Sequence, residues 1–199
     1  MTYAFLAIVL FVDFLAIVFQ SSCPAIPNLS GAWVLIFPAI LAYGAMALPF
    51  PAVLALGFFN GFVYDCLNMQ FVRIDPLSMD SAQAVELALG TSIVIHTTLA
   101  VLAHGLRPMF LRGRWDIHCL ASGVCGAVIP LSEYLLITFK RGGLIFPREV
   151  WARALLPGFF AMLLAPVIFF SFNAIAGLIG YTVRQIEDDR ERRRRRRAV

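Results

Sequence analysis

Seven polar side chains lie inside long apolar segments, where they could bind a ligand, relay protons or hold helices together. They are Asp13, Asn60, Tyr64, Asp65, His96, Glu133 and Asn173. A charged group at membrane depth costs at least about 2–3 kcal/mol, so such groups face protein or a water-filled cavity. One interpretation places them around a cavity that binds a small molecule or couples protons. The other has them join helices and receive the transmembrane helix of a partner, and the lack of an internal repeat slightly favours it.

Motifs for catalysis or metal binding are weak in this sequence. Ala121-Ser122-Gly123 resembles the motif of intramembrane serine proteases, but Leu120 stands where that motif has glycine. No histidine follows in a later apolar segment to act as a base. The histidines and cysteines show no metal-ligand spacing, and we interpret His96 as a core residue bonded to a backbone carbonyl. We therefore expect neither enzymatic activity nor a cofactor or metal.

The composition is that of an α-helical membrane protein. Of the 199 residues, 60% are hydrophobic and 14% are charged, whereas soluble domains average about 25% charged residues. Apolar runs of roughly twenty residues recur along the chain, and only helices or closed barrels satisfy the backbone within lipid. The first run starts at once, carries Asp13 and lacks the pattern of a cleaved signal peptide. We predict an all-α, polytopic fold.

Hydropathy predicts six transmembrane helices in one bundle, at about 2–20, 32–48, 52–67, 81–104, 117–139 and 155–181. A single helix over 32–67 would measure roughly 54 Å, far more than the membrane core, so Pro49-Phe50-Pro51 is predicted to be a tight turn. Asp80 and Gln83 form a capping pattern, which predicts a helix start near Ser81. The transmembrane domain is predicted to cover 1–182, followed by a charged, disordered tail at 183–199.

The distribution of basic residues predicts that both termini are cytoplasmic. With six spans and the ends inside, the inner segments hold eleven basic residues and the outer segments hold five. The positive-inside rule selects this orientation. The basic connection at 140–153 is an exception to it. The arginine run at 192–197 is interpreted as a tail that touches membrane lipids, and we expect no nucleic-acid binding.

One predicted helix carries a face without side chains that ends in an acid. Gly57, Gly61 and Asp65 are spaced four apart, with Asn60 and Tyr64 beside them. Glycines at this spacing let the backbone of another helix approach closely in lipid. Further polar contacts are expected from the first and fifth spans. The residues predicted to form the polar core or to receive a partner helix are Asp13, Gln20, Gly57, Asn60, Gly61, Tyr64, Asp65 and Glu133.

The same segment resembles a family signature. Residues 57–67 read G-F-F-N-G-F-V-Y-D-C-L, which is similar to the pattern G-F-x-x-G-hydrophobic-x-x-D-x-hydrophobic in the third span of the bacterial rod shape-determining protein family MreD. The first predicted span also ends in F-Q-S-S, at 19–22, and short loops join the six predicted helices.

The resemblance implies a non-enzymatic subunit of the cell-elongation complex in the bacterial inner membrane, which supports cell shape and peptidoglycan synthesis. Members of that family bind MreC and, through the complex, act with MreB, RodA and the RodA transpeptidase. Their fold is similar to the substrate-binding components of energy-coupling-factor transporters. A small-molecule-binding component of a membrane transporter is therefore the alternative. Our hypothesis is that the Gly57/Gly61 face packs a helix, either from MreC or from within the bundle.

Overall fold

The structure is a computed structural model that describes residues 2–22, 33–68, 88–111, 114–140 and 148–181. These described residues are almost entirely α-helical, and no strand occurs among them. The helices are α1 (Thr2–Ser22), α2 (Phe37–Ala47), α3 (Phe50–Asn68), α4 (Thr91–His104), α5 (Arg107–Leu111), α6 (Trp115–Lys140) and α7 (Arg148–Ile179). The predicted all-α class is confirmed.

Within the described residues, four helices are long and apolar enough to cross a membrane: α1, α3, α6 and α7. This agrees with the predicted membrane protein. The apolar helices α2 and α4 contain 11 and 14 residues. At 1.5 Å per residue they measure about 16 Å and about 21 Å, which is less than a membrane core of about 30 Å.

Three predicted helix starts are wrong, and one of them is that of α2, which begins at Phe37 and not near 32. A helix was expected from near Ser81 to His104, but Ala88 to Gly90 are not helical and α4 begins at Thr91. Gly90 has φ +96°, a left-handed conformation that glycine adopts readily and that stops a helix from continuing through it. The sixth span was expected from about 155, whereas α7 already begins at Arg148. The predicted cap at Asp80 and Gln83 and the predicted tail at 183–199 lie outside the described residues.

The short helix α2 forms the centre of the molecule. Every one of its residues is buried, and α1, α3, α4, α6 and α7 all pack against it. Tyr43, in the middle of α2, stacks on Phe172 of α7 with ring centroids 5.1 Å apart, and its ring meets the edge of Phe110 at 5.7 Å. The predicted turn at Pro49 agrees with the structure, since α2 ends at Ala47 and α3 begins at Phe50.

Side chains from three other segments bind the carbonyl groups at the C-terminal end of α2. His104 Nδ1 lies 2.7 Å from Ala45 O, Tyr181 Oη donates to Ala47 O over 3.0 Å, and Arg107 Nη1 donates to Leu48 O over 3.1 Å. The last carbonyls of a helix have no partner within the helix and need one when buried. These three contacts explain how so short a helix ends inside the core.

The two ends of the described chain meet at one end of the bundle. The ring of Phe5, in the first turn of α1, stacks on the ring of Tyr181, just after α7, with centroids 4.4 Å apart. The first described helix therefore begins next to the point where the last described helix ends.

Candidate functional site

The glycine face of α3 packs against the backbone of α4. A methyl group on Gly57 would lie 2.7 Å from Thr97 Cα, and one on Gly61 would lie 2.5 Å from Ile93 N. Distances this short are impossible for real carbon atoms, so the two helices are in direct backbone contact. In this chain the face predicted to receive a helix is thus covered by α4.

A second close contact joins α6 and α7. A methyl group on Gly158 would lie 2.5 Å from Gly123 O, and one on Gly126 would lie 3.0 Å from Ala161 Cβ. Gly123 and Gly126, which lie in the fifth predicted span, face this contact. Gly158 was not predicted from the sequence as a contact residue. Together with Ala161 it gives α7 a surface of small residues, which is typical of such interfaces.

Asp13 and Asn60 form a buried polar contact between α1 and α3. Asn60 Nδ2 donates to Asp13 Oδ2 over 2.7 Å, and both side chains are 0% exposed. The remaining oxygens, Asp13 Oδ1 and Asn60 Oδ1, have no hydrogen-bond partner among the described residues. The two side chains thus link the first and third helices in the interior of the bundle.

Tyr64, Asp65 and Glu133 lie towards the opposite end of the bundle from Tyr181. Tyr64 Oη donates to Glu133 Oε2 over 3.4 Å, which links α3 to α6. Asp65 Oδ2 accepts the backbone N–H of Gly90 over 2.7 Å. Gly90 is the N-cap of α4, so the carboxylate of Asp65 lies at a helix N-terminus, where the helix dipole favours a negative charge.

His96 lies inside the bundle beside this group. Its Nδ1 is 2.6 Å from Ser92 O, the backbone contact that was expected for a core histidine. The rings of Phe37 and Tyr64 each lie 5.3 Å from its ring. Within the described part of the chain, His96 Nε2 and Glu133 Oε1 are buried without a hydrogen-bond partner.

The weak serine-protease resemblance has no matching arrangement in the structure. Ser122 Oγ donates to the backbone carbonyl of His118 over 2.7 Å, and His118 Nε2 lies 3.0 Å from Ala39 O. Neither group is positioned to activate the other, because a nucleophile needs its base within hydrogen-bond reach. Of the residues that the structure describes, no group of three or more His, Cys, Asp or Glu side chains could hold a metal ion.

Seven of the eight predicted site residues therefore lie in contacts between helices. Gly57 and Gly61 face α4, and Asp13 pairs with Asn60. Tyr64 of α3 bonds to Glu133 of α6, and Asp65 of α3 bonds to the N-cap of α4. No protein-family model, curated protein or solved structure matches this chain. The resemblance to MreD therefore rests on residues 57–67, the end of the first predicted span at 19–22 and the six predicted helices.

Gln20 binds the start of α2. Its Oε1 accepts the N–H of Ile36 over 3.1 Å, and the side chain is 4% exposed. We expect Gln20→Met, which keeps the volume but removes the acceptor, to lower the free energy of unfolding by about 1–3 kcal/mol. Unfolding in mixed detergent micelles measures this change. Ser22→Ala is the control, because the exposed Ser22 hydroxyl bonds only within its own helix; equal losses for both variants would contradict the prediction.

Proposed function

We propose that this chain is a non-enzymatic integral membrane subunit of the bacterial cell-elongation complex. It binds MreC and, through the complex, acts with MreB, RodA and the RodA transpeptidase in maintaining cell shape and peptidoglycan synthesis. The observation that carries this proposal is the segment 57–67, a membrane helix whose sequence is similar to the MreD signature. In the structure its glycines and its acid both serve helix packing.

The polar side chains of the bundle support an assembly role over a chemical one. Asn60, Tyr64 and Asp65 each bond to another helix or to its first residues. Tyr43 Oη donates to Asn173 Oδ1 over 3.0 Å, which joins α2 to α7. Polar groups used in this way hold helices together.

For the topology we propose six crossings of the inner membrane, with both termini in the cytoplasm. The stacking of Phe5 on Tyr181 supports an even number of crossings, and the excess of basic residues in the predicted inner segments supports the orientation. Helices α2 and α4 are too short to cross alone, so each crosses together with its flanking residues. We propose that the resulting bundle resembles the substrate-binding components of energy-coupling-factor transporters, as the resemblance to MreD implies.

The contact with MreC lies on a surface other than the Gly57/Gly61 face, because α4 covers that face. A single transmembrane helix of MreC would then pack against the outside of the bundle. Its side chains would replace lipid and leave the internal contacts intact.

Affinity purification in a mild detergent tests the proposal. We expect the tagged chain to bring down MreC from a rod-shaped bacterium, and we expect cells depleted of the chain to become round until the wild-type chain is supplied. An unrelated polytopic inner-membrane protein with the same tag controls for capture by the detergent micelle. Normal rods after depletion, or no MreC in the purified fraction, would contradict the proposal.

The alternative function, a small-molecule-binding component of a transporter, is favoured by one observation. Glu133 Oε1 and His96 Nε2 are buried acceptors without a partner among the described residues, and a ligand with hydrogen-bond donors would satisfy them. A protein of this kind retains its ligand through purification, where mass spectrometry after denaturation detects it. Glu133→Gln would then release the ligand, whereas an assembly subunit yields a partner protein and no ligand.

A further inference from the structure

Two oxygen atoms in the interior of the bundle share one unexplained feature. Asp13 Oδ1 and Asn60 Oδ1 are both buried and both lack a partner among the described residues. Their side chains are already joined through the other atoms, Asn60 Nδ2 and Asp13 Oδ2, at 2.7 Å. A buried acceptor without a hydrogen bond costs about 1–3 kcal/mol, and more if it is charged. Two such atoms on one hydrogen-bonded pair of side chains therefore call for a common donor.

A bound cation does not fit this position well. Asp13 is the one acid of the pair, and within the described residues no group of three or more His, Cys, Asp or Glu side chains could hold a metal ion. Alkaline-earth cations take six or more oxygen ligands. A buried water that donates to both oxygens would satisfy them, but it would leave the carboxylate charged inside the bundle.

The surrounding helices supply no positive charge to balance a carboxylate. Helices α1 and α3, which carry the pair, and α2, which packs against both, contain no Lys, Arg or His. Their other titratable groups are Tyr3, Tyr43, Tyr64, Asp65 and Cys66. Helix α4, which packs against α3, carries His96 and His104, whose Nδ1 atoms lie next to Ser92 O and Ala45 O. Helix α7 touches α1 at Phe5, and its Arg148 and Arg153 lie in its first two turns, far along the helix from that contact.

We propose that Asp13 and Asn60 form a carboxylic acid–amide pair that binds one proton. The proton lies on Asp13 Oδ1 and is donated to Asn60 Oδ1, while Asn60 Nδ2 donates to Asp13 Oδ2. One proton then satisfies both open oxygens and closes a ring of two hydrogen bonds. The pair is neutral, so it joins α1 to α3 without placing a charge in the membrane. This proposal does not depend on the identity of any partner protein.

Infrared spectroscopy of the full-length protein in lipid vesicles at neutral pH tests the proton directly. A protonated carboxyl has a C=O stretching band that a carboxylate lacks. We expect the wild-type spectrum to contain such a band, and Asp13→Asn to remove it. Glu133→Gln is the control and retains the Asp13 band. A wild-type minus Asp13→Asn difference that contains only carboxylate bands would overturn the proposal.

A second variant keeps the test decisive if Asp13→Asn fails to fold. Asn60→Leu removes the acceptor but keeps the acid, so we expect the C=O band of Asp13 to remain and to shift to higher frequency. A C=O band at the wild-type frequency in Asn60→Leu would show that Asn60 does not bond to the acid, and would overturn the pairing.

Thermal unfolding distinguishes a proton from a bound cation. The midpoint of the wild-type protein should be the same in sodium, potassium and choline chloride at equal ionic strength, because a neutral pair binds none of them. Asp13→Asn should keep a midpoint close to that of the wild type, since two amides form the same two-bond ring, whereas Asp13→Leu should lower it. A wild-type midpoint that rises specifically with sodium or potassium would overturn the proposal.

Discussion

Gly61→Ala should lower the free energy of unfolding by about 3 kcal/mol, at the upper end of the usual cost of overpacking. The added methyl group would lie 2.5 Å from Ile93 N and 2.6 Å from Ser92 O. Both atoms belong to the backbone of α4, which cannot rotate away as a side chain can, so α3 and α4 must separate along their contact. Reversible unfolding in mixed micelles measures the loss.

Gly177→Ala is the matched control for this prediction. Gly177 also lies inside a membrane helix, but a methyl group there would meet no atom within 4 Å. Replacing glycine by alanine in a helix is favourable by up to about 1 kcal/mol when nothing is hit. We therefore expect Gly177→Ala to be neutral or stabilising. Equal effects at the two positions would show that the contact between α3 and α4 is not tight.

Arg107→Met should be the second large effect, with a loss of about 2–3 kcal/mol. Arg107 is 9% exposed, and its guanidinium donates to Leu48 O at the end of α2. Methionine keeps the apolar stem but removes the donor and its positive charge, which the C-terminal end of a helix attracts. The carbonyl then stays buried with one donor fewer. The same unfolding measurement reports the change.

Arg114→Met provides the control for Arg107→Met. Arg114 forms an ion pair with Asp116 at 2.6 Å, and both side chains are about half exposed. Exposed ion pairs contribute about 0–1 kcal/mol, so this loss should be small. Equal destabilisation of the two variants would contradict the prediction that the bond from Arg107 to the end of α2 contributes more to stability than the exposed ion pair does.

The fold class followed from the sequence because lipid admits few backbone structures. Long apolar runs with little charge predict helices, and α1, α3 and α6 begin and end within a few residues of their predicted bounds. Helix α4 was mispredicted because hydropathy does not report backbone conformation. Gly90 is as compatible with an apolar run as alanine is, yet its positive φ separates the helix from the residues before it.

The features of the candidate site that lie within one helix could also be predicted from the sequence. The contacts between residues far apart in the sequence could not. The spacing of Gly57 and Gly61 within one helix predicted a close helix contact, since both residues fall on one face. The identity of the opposing helix depends on tertiary packing, which has no signature in spacing. The contacts of His104 and Arg107 with the end of α2 each join residues 59 positions apart. A lone histidine or arginine at the end of a helix carries no sequence signal that identifies such a partner.

The enclosed position of α2 has a consequence for biogenesis. This segment leaves the ribosome before residues 104, 107 and 181, which supply the groups that bind its final carbonyls. Its backbone is therefore fully satisfied only once the last helix has been synthesised and has docked. Until then some carbonyl groups of α2 lack a hydrogen-bond partner, which is unfavourable in lipid. A chain that stops before Tyr181 should therefore be a substrate for membrane quality control.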